Sequence, residues 1–321
     1  MILQTKIPLE KQSKNQMDYK SSVLLLGSCF SGNIGGKLDY FKFQNLQNPF
    51  GILFHPKAIE TLISNAVNKK EYSENDVFFH NEQWHCFDAH SKLSNASKAS
   101  LLTGLNNQIE LTHNQIKNST HIIITLGTAW AYLFNKTEKL VANCHKVPQK
   151  QFGKKILSVD EICQSLKNIE ELIRLVNPKA NLIFTVSPIR HTKDGFVENM
   201  QSKAHLISAI HQFLNQNLSI GNLNSLYFPS YEIMMDELRD YRFYKEDMLH
   251  PNKTAINYIW ECFKSVWIDD NVFKIMDQID VIQKGLLHKP FNPKSEAHQK
   301  FIQNLETNKA NLNNQFPHIT F

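Results

Sequence analysis

The sequence lacks long apolar segments and paired cysteines. No apolar run approaches the roughly 18 residues needed to cross a bilayer, and the first 20 residues are polar and mixed in charge, without the apolar core of a signal peptide. The five cysteines are scattered and form no Cys-x-x-Cys pair, which argues against a secreted disulfide framework and for a reducing compartment. We therefore expect a soluble, cytoplasmic protein without a membrane span.

The chain also lacks a strong excess of one charge. Its 35 basic and 30 acidic residues leave a net charge of +5, spread without long basic runs. This balance argues against nucleic acid as a partner and favours a small, anionic substrate. With 321 residues, 42% of them hydrophobic, the chain can bury a substantial core, and its length fits one large or two small domains.

Residues 23–36 are the stretch around which the rest is organised. The four apolar residues 23–26 predict a short strand buried on both faces. Gly27 permits a tight turn, and Ser28 and Cys29 follow where a helix begins, beside free N–H groups and the positive end of the helix dipole. That position suits a nucleophile and an oxyanion site. The alternative interpretation is that Ser28 caps the helix and Cys29 is a small buried residue.

Further apolar strands alternate with amphipathic helices along the chain, which predicts a doubly wound α/β sheet. Because ligands bind outside the carboxyl ends of such strands, polar residues at three strand ends favour a site there. We expect one α/β domain over residues 1–285, with an inserted segment at about 70–120, and a helical or partly disordered tail over 286–321. The predicted strands cover 121–126, 181–186 and a weaker 226–228, the predicted helices include 31–40, 97–117 and 198–217, and the stretch 45–56 is expected to be a loop. The three strand ends carry Gly27-Ser28-Cys29, Gly127-Thr128 and Ser187-Pro188.

A second chemistry-bearing stretch lies late in the chain. Asp247 and His250 are three residues apart in a segment that ends at Pro251. A histidine that acts as a base needs an acceptor on its other ring nitrogen, and Asp247 supplies one. The alternative is that Asp247 caps a turn and His250 packs against Tyr244.

Several motifs taken together resemble those of the GSCFA family, within the SGNH hydrolase superfamily. The family is named for a Gly-Ser-Cys-Phe-Ala run, and this chain has Ser31 in place of the alanine. The matches span roughly residues 23–253. They are 27–31 (GSCFS), 48–53 (NPFGIL), 125–130 (TLGTAW), Ser187-Pro188, 227–232 (YFPSYE), 239–244 (RDYRFY) and 247–251 (DMLHP).

This resemblance implies a flavodoxin-like, three-layer sandwich with a central, mostly parallel sheet, and an esterase or deacylase activity. It implies Asp247 as the orienting acid, His250 as the base, and Gly51 as the second-block oxyanion donor, with Asn48 and Arg242 as further substrate-binding candidates. The third block departs from the superfamily pattern Gly-x-Asn-Asp. Here it reads Gly127-Thr128-Ala129-Trp130, so a hydroxyl or N–H of this segment would replace the asparagine amide.

The first block also departs from the superfamily pattern Gly-Asp-Ser. Strict register on Gly27 places Ser28 at the Asp position and Cys29 at the Ser position. A cysteine at a helix N-terminus near a histidine attacks acyl carbons well, and a small shift of the loop would instead bring Ser28 to His250. Cys29 is the preferred nucleophile, and Ser28 stays open.

The sequence thus predicts a hydrolase acting on a small-molecule or saccharide acyl ester. The alternatives are an O-acyltransferase acting on a saccharide and a catalytically degenerate binding protein. Four basic residues are candidates for binding an anionic substrate group: Arg190, Lys203, Arg239 and Arg242. We expect no cofactor and no metal, because the histidines and Cys144 have no standard ligand spacing. The sequence does not predict the oligomeric state.

Overall fold

A computed structural model describes residues 5–219 and 224–321. A five-stranded parallel sheet forms its centre, with the spatial order β10-β9-β5-β1-β2. Counted along the chain among these five strands, this is the flavodoxin order 2-1-3-4-5. The strands are β1 (Ser22–Gly27), β2 (Gln44–Gln47), β5 (His121–Leu126), β9 (Asn181–Val186) and β10 (Ser225–Tyr227). The predicted α/β class and doubly wound sheet are confirmed.

Helices cover both faces of the sheet, because alternate residues of each central strand point to opposite sides. Leu24, Ile122 and Phe184 belong to one core cluster, and Val23, Ile123 and Ile183 belong to the other. The first cluster includes residues of α2 (Pro56–Val67), α3 (Lys98–Asn118), α4 (Val159–Val176) and α5 (Phe196–Ser219). The second includes residues of α1 (Cys29–Tyr40), α7 (Lys253–Trp267), α8 (Phe273–Leu286) and α9 (Glu296–Gln315). Between β10 and α7 lie the short α6 (Ser230–Glu232) and a π-helical turn, Ile233–Leu238.

Two small antiparallel sheets are attached to this framework. One is a hairpin of β3 (Val77–His80) and β4 (Gln83–Cys86). The other has the order β7-β6-β8, formed by β6 (Trp130–Phe134), β7 (Lys139–Val141) and β8 (Phe152–Ile156). His55 joins the second sheet to α2: its Nδ1 accepts from the Ala58 N–H at 3.1 Å, and its Nε2 donates to the Val141 carbonyl at 3.0 Å.

The structure corrects the prediction that residues 45–56 are wholly a loop. β2 occupies the start of that stretch and pairs with β1 at the edge of the sheet. Its sequence, QNLQ, contains a single apolar residue, so it carries no buried-strand pattern. β8 was missed for a related reason, because two exposed lysines interrupt it. Within the described ranges, no helix is both long and apolar enough to span a membrane.

Candidate active site at the carboxyl ends of the strands

The candidate site lies where the chain leaves β1 and β5, the two neighbouring strands at which the order of the sheet reverses. Ser28 is the N-cap of α1, and its Oγ accepts a hydrogen bond from the Phe30 N–H at 3.3 Å. The Ser28 side chain is completely buried (0% exposed), whereas Cys29, the first residue of α1, is partly exposed. The turn therefore encloses Ser28 and leaves Cys29 partly exposed.

The Cys29 thiol is in a mixed electrostatic environment. Burial is the dominant effect and raises the pKa of the thiol above its ordinary value. The N–H of Cys29 and the charges of Lys203 and Lys245 lower the pKa in part. The thiol therefore stays protonated at neutral pH in the resting protein. To act as a nucleophile it must pass its proton to a neighbouring base.

His250 and Asp247 form a fixed pair on the loop before α7. His250 Nδ1 lies 2.6 Å from Asp247 Oδ2, and Asp247 Oδ1 accepts the N–H groups of Leu249 and His250, each at 2.9 Å. These two N–H groups hold the pKa of Asp247 down at about 2, so it is a carboxylate at neutral pH. The pair orients the imidazole with a proton on Nδ1 and a lone pair on Nε2. The predicted contact is present, and its catalytic role stays a prediction.

The loop of His250 is linked electrostatically to Cys29 and to a second histidine. The Lys245 N–H donates to the His250 carbonyl at 2.7 Å, and the charge of Lys245 acts on the Cys29 thiol. His191, which follows β9, is affected by the charges of both Lys203 and His250. Cys29, Lys203, His191 and His250 therefore form one electrostatically connected group.

Lys203, on α5, is buried beneath this group. It is 1% exposed, and its Nζ donates to the carbonyls of Gly127 at 2.7 Å and Ser187 at 2.8 Å, which follow β5 and β9. Burial lowers its pKa to about 7, and ionisation of the Cys29 thiol acts in the opposite direction. The sequence made Lys203 a candidate for binding an anionic substrate group, whereas in the structure its Nζ is hydrogen-bonded to two backbone carbonyls.

We expect Lys203 to make stability depend on pH. Its folded pKa of about 7 lies below the unfolded value of about 10.4. Between these values the unfolded chain binds a proton that the folded chain lacks, so the free energy of unfolding rises with pH by up to about 1.4 kcal/mol per unit. Urea unfolding of wild type and Lys203→Met at pH 7 and 8 measures this, with the exposed Lys150→Met as control. A rise that persists in Lys203→Met would contradict this assignment.

The predicted oxyanion donors are engaged within the fold. The Gly51 N–H donates to the Asn48 carbonyl at 2.7 Å, and the N–H groups of Gly127 and Thr128 both donate to the Phe54 carbonyl, at 2.8 and 3.0 Å. The Thr128 hydroxyl lies 3.0 Å from the Ser202 hydroxyl. The two bonds to Phe54 stabilise the turn after β5. All three bonds from backbone donors occupy N–H groups that the sequence assigned to the substrate oxygen.

The two remaining predicted site residues differ in their placement. Asn48 lies at the site, because its Oδ1 accepts the Gly27 N–H at 2.8 Å. Arg242 is exposed and pairs with Asp240 at 3.0 Å on its own short turn. Nothing in this contact directs the guanidinium toward Cys29.

A pocket of about 450 Å³ opens beside this group. Its lining includes His191, Thr128 and Phe54, three aromatic residues of the small β6–β8 sheet (Trp130, Tyr132 and Phe152), and much of the segment 141–149. Asp194 pairs with Lys154, whose ammonium lies 4.5 Å from the centroid of the Trp130 ring, so the segment after His191 is tied to this sheet. The volume is within the range of small-molecule sites.

Sequence reasoning missed His191 and Ser202. A weak signal was available for His191, because it follows the Ser187-Pro188 strand end by three residues. Ser202 gave no signal, since a serine inside an amphipathic helix has no distinguishing pattern. In the described parts of the chain, no three His, Cys, Asp or Glu side chains cluster as a metal site requires.

This fold defines a doubly wound α/β protein whose switch-point strand β1 leads into a helix that begins at a cysteine. The chain belongs to the GSCFA family, whose pattern it matches over residues 22–263. Residues 279–321 match a second pattern, described as "GSCFA domain protein, C-terminal domain". The family membership predicted from the motifs is confirmed.

Comparisons with individual proteins do not identify a reaction for this chain. No curated protein matches the chain. Among solved structures, an acetyl xylan esterase from the rumen bacterium Butyrivibrio proteoclasticus is similar to it, with 11% identity and a TM-score of 0.34. The match covers 85% of this chain and 66%, just under two thirds, of that esterase. A likeness of this size says nothing about the reaction.

Proposed function

We propose that the protein is an acyl-ester hydrolase, an esterase or deacylase, with Cys29 as its nucleophile. The observation that carries the proposal is a partly exposed cysteine at the first residue of α1, whose thiol is under the charge of Lys245 on the loop that also holds the His250–Asp247 pair. A thiol with a raised pKa needs a base, and an imidazole oriented by a carboxylate supplies one.

The reaction divides into two half-reactions. His250 Nε2 takes the thiol proton while Cys29 Sγ attacks the acyl carbon, and the carbonyl electron pair moves onto oxygen. Collapse of this tetrahedral intermediate expels the alcohol, which takes the proton back from His250. A water molecule, deprotonated by His250, then attacks the thioester carbonyl. The tetrahedral intermediate expels the Cys29 thiolate, which takes the proton back from His250, and the carboxylic acid product loses its own proton to solvent.

Ser28 is the weaker candidate for the nucleophile. It is fully buried, its Oγ accepts from the Phe30 N–H, and its own N–H donates to the Thr125 carbonyl at 3.0 Å. These contacts are those of a helix cap. Replacing it with alanine is therefore expected to cost stability, by about 0.5–2 kcal/mol, and to leave the nucleophile in place.

Hydrolysis of p-nitrophenyl acetate tests the proposal. We expect wild type to turn it over and Cys29→Ala to lose this activity, with Cys262→Ala as a matched cysteine control on α7. Cys29→Ala retaining wild-type turnover would refute Cys29 as the nucleophile. A wild type that neither turns over nor becomes acetylated would support the binding-protein alternative.

Transfer of the acyl group to a sugar hydroxyl is a second candidate. The pocket next to His191 exceeds what an acetyl group fills, and Trp130 and Tyr132 in its lining suit a sugar ring. Adding methyl glucoside to the p-nitrophenyl acetate reaction separates the two fates. Acetylated glucoside in the product supports transfer, and acetate alone supports hydrolysis.

A further inference from the structure

The turn after β5 has no N–H left for a substrate oxygen. Gly127 and Thr128 donate to the Phe54 carbonyl, the Ala129 N–H donates to Ser202 Oγ at 2.7 Å, and the Trp130 N–H donates to Thr128 Oγ1 at 3.1 Å. This is the segment in which the superfamily pattern has its asparagine. A second oxyanion donor, besides the Cys29 N–H at the start of α1, must therefore come from another element.

His191 has an unpaired ring nitrogen. Its Nε2 is buried and has no hydrogen-bond partner among residues 5–219 and 224–321. Buried ring nitrogens are rarely left unpaired in folded proteins, so an unpaired one at a pocket wall points to a ligand. His191 lines the pocket of about 450 Å³ together with Thr128.

The ring of His191 packs against Phe54, and the His191 backbone is anchored by a hydrogen bond. The edge of Phe54 meets it at a centroid distance of 5.5 Å, and its backbone N–H donates to Asn199 Oδ1 at 2.8 Å. Phe54 is the residue whose carbonyl binds the Gly127 and Thr128 N–H groups. The imidazole is thus fixed relative to the turn that lacks a free donor.

We propose that His191 Nε2–H donates a hydrogen bond to the acyl oxygen of the substrate as that oxygen becomes negative, in place of the missing asparagine amide. This rests on the proposed acyl transfer to Cys29. His191 transfers no proton: the electron pair on the oxygen is stabilised by the Nε2–H and by the Cys29 N–H until the leaving group departs.

The charges around His191 suit this task. Burial is the largest cause that lowers the pKa of His191, and positive charge on Lys203, or on His250 when it is protonated, lowers it further, to about 3. The ring is therefore neutral from pH 5 to 9 and carries one proton throughout. Because the protonation of His191 does not change over this range, the base alone determines the pH profile of the reaction.

Two reactions of Cys29 separate an oxyanion donor from a structural residue. Acetylation by p-nitrophenyl acetate passes through an oxyanion, whereas alkylation by iodoacetamide does not. We expect His191→Phe to slow acetylation of Cys29 by about 100- to 1,000-fold and to leave the alkylation rate and its pH dependence unchanged. His191→Gln keeps an N–H donor and is expected to recover part of the acetylation rate, and His298→Phe on α9 is the matched control.

Three outcomes would overturn the proposal. Equal losses of acetylation and alkylation in both His191 variants would make the residue structural, and wild-type acetylation in His191→Phe would remove it from the reaction. If wild-type Cys29 is alkylated but never acetylated, the proposed function fails, and the inference fails with it. If wild type and His191→Phe are acetylated at the same rate, the inference about His191 fails and the proposed function stands.

Discussion

His250→Ala is expected to slow acetylation of Cys29 by p-nitrophenyl acetate by about 100- to 10,000-fold at pH 7, the range of a lost general base. The physical reason is the state of the thiol: burial raises its pKa, so it is protonated at neutral pH and reacts only when a base removes the proton. The His250 imidazole, whose Nδ1 lies 2.6 Å from Asp247 Oδ2, is the base proposed for that transfer.

The deficit of His250→Ala is also expected to shrink as the pH rises. Once hydroxide ionises the thiol directly, the base is no longer needed. Stopped-flow acetylation of wild type and His250→Ala from pH 6 to 10 measures this, and His298→Ala is the control. Wild-type rates in His250→Ala, with Cys29 still required, would identify another base, and Lys203, with its pKa of about 7, is the first candidate.

Gly27→Ala is expected to destabilise the fold by at least about 3 kcal/mol, the sum of backbone strain and overpacking. Gly27 has a φ of +123°, a conformation that side chains disfavour, and an added Cβ would lie 2.1 Å from the Thr125 carbonyl oxygen. That oxygen belongs to the neighbouring strand β5 and also accepts the Ser28 N–H. The methyl group would therefore force apart the strand ends that hold Ser28 and Cys29.

Gly32→Ala provides the matched control for this prediction. Gly32 lies in α1, and an added Cβ would meet nothing within 4 Å. Alanine is the better helix former, so this variant is expected to gain about 0.5–1 kcal/mol. Urea unfolding followed by circular dichroism compares the two variants. A Gly27→Ala protein within about 1 kcal/mol of wild type, an ordinary change for a single substitution, would show that the turn tolerates a side chain.

Much of the fold was predictable because the central strands and most helices have clear periodic patterns. β1, β5 and β9 are short apolar runs, and the Ser158 capping box marks the start of α4: Ser158 Oγ accepts the Glu161 N–H at 3.2 Å, and the Ser158 N–H donates to Glu161 Oε2 at 2.9 Å. β2 and β8 were not predictable from the same signal, because their residues are polar or half-exposed. An edge strand is recognised by its partner, which a local sequence pattern does not contain.

The candidate site was predictable where its parts are close in sequence. Asp247 and His250 are three residues apart, and the strand-to-helix turn at Ser28 and Cys29 is contiguous. The exposure that separates Cys29 from Ser28 arises from tertiary packing and has no local signature. His191 and Lys203 come from different elements and meet the turn only in the folded chain, so spacing alone did not assign them a place at it.

The position of the acetyl group tests the central claim most directly. Wild type, Ser28→Ala and Cys29→Ala are incubated with p-nitrophenyl acetate, quenched in acid, and analysed by peptide mass spectrometry with and without neutral hydroxylamine, which cleaves thioesters. We predict one hydroxylamine-sensitive acetyl group on Cys29 in wild type and Ser28→Ala, and none in Cys29→Ala. A hydroxylamine-resistant acetyl group on Ser28 that survives in Cys29→Ala would contradict the account and make the buried hydroxyl the nucleophile.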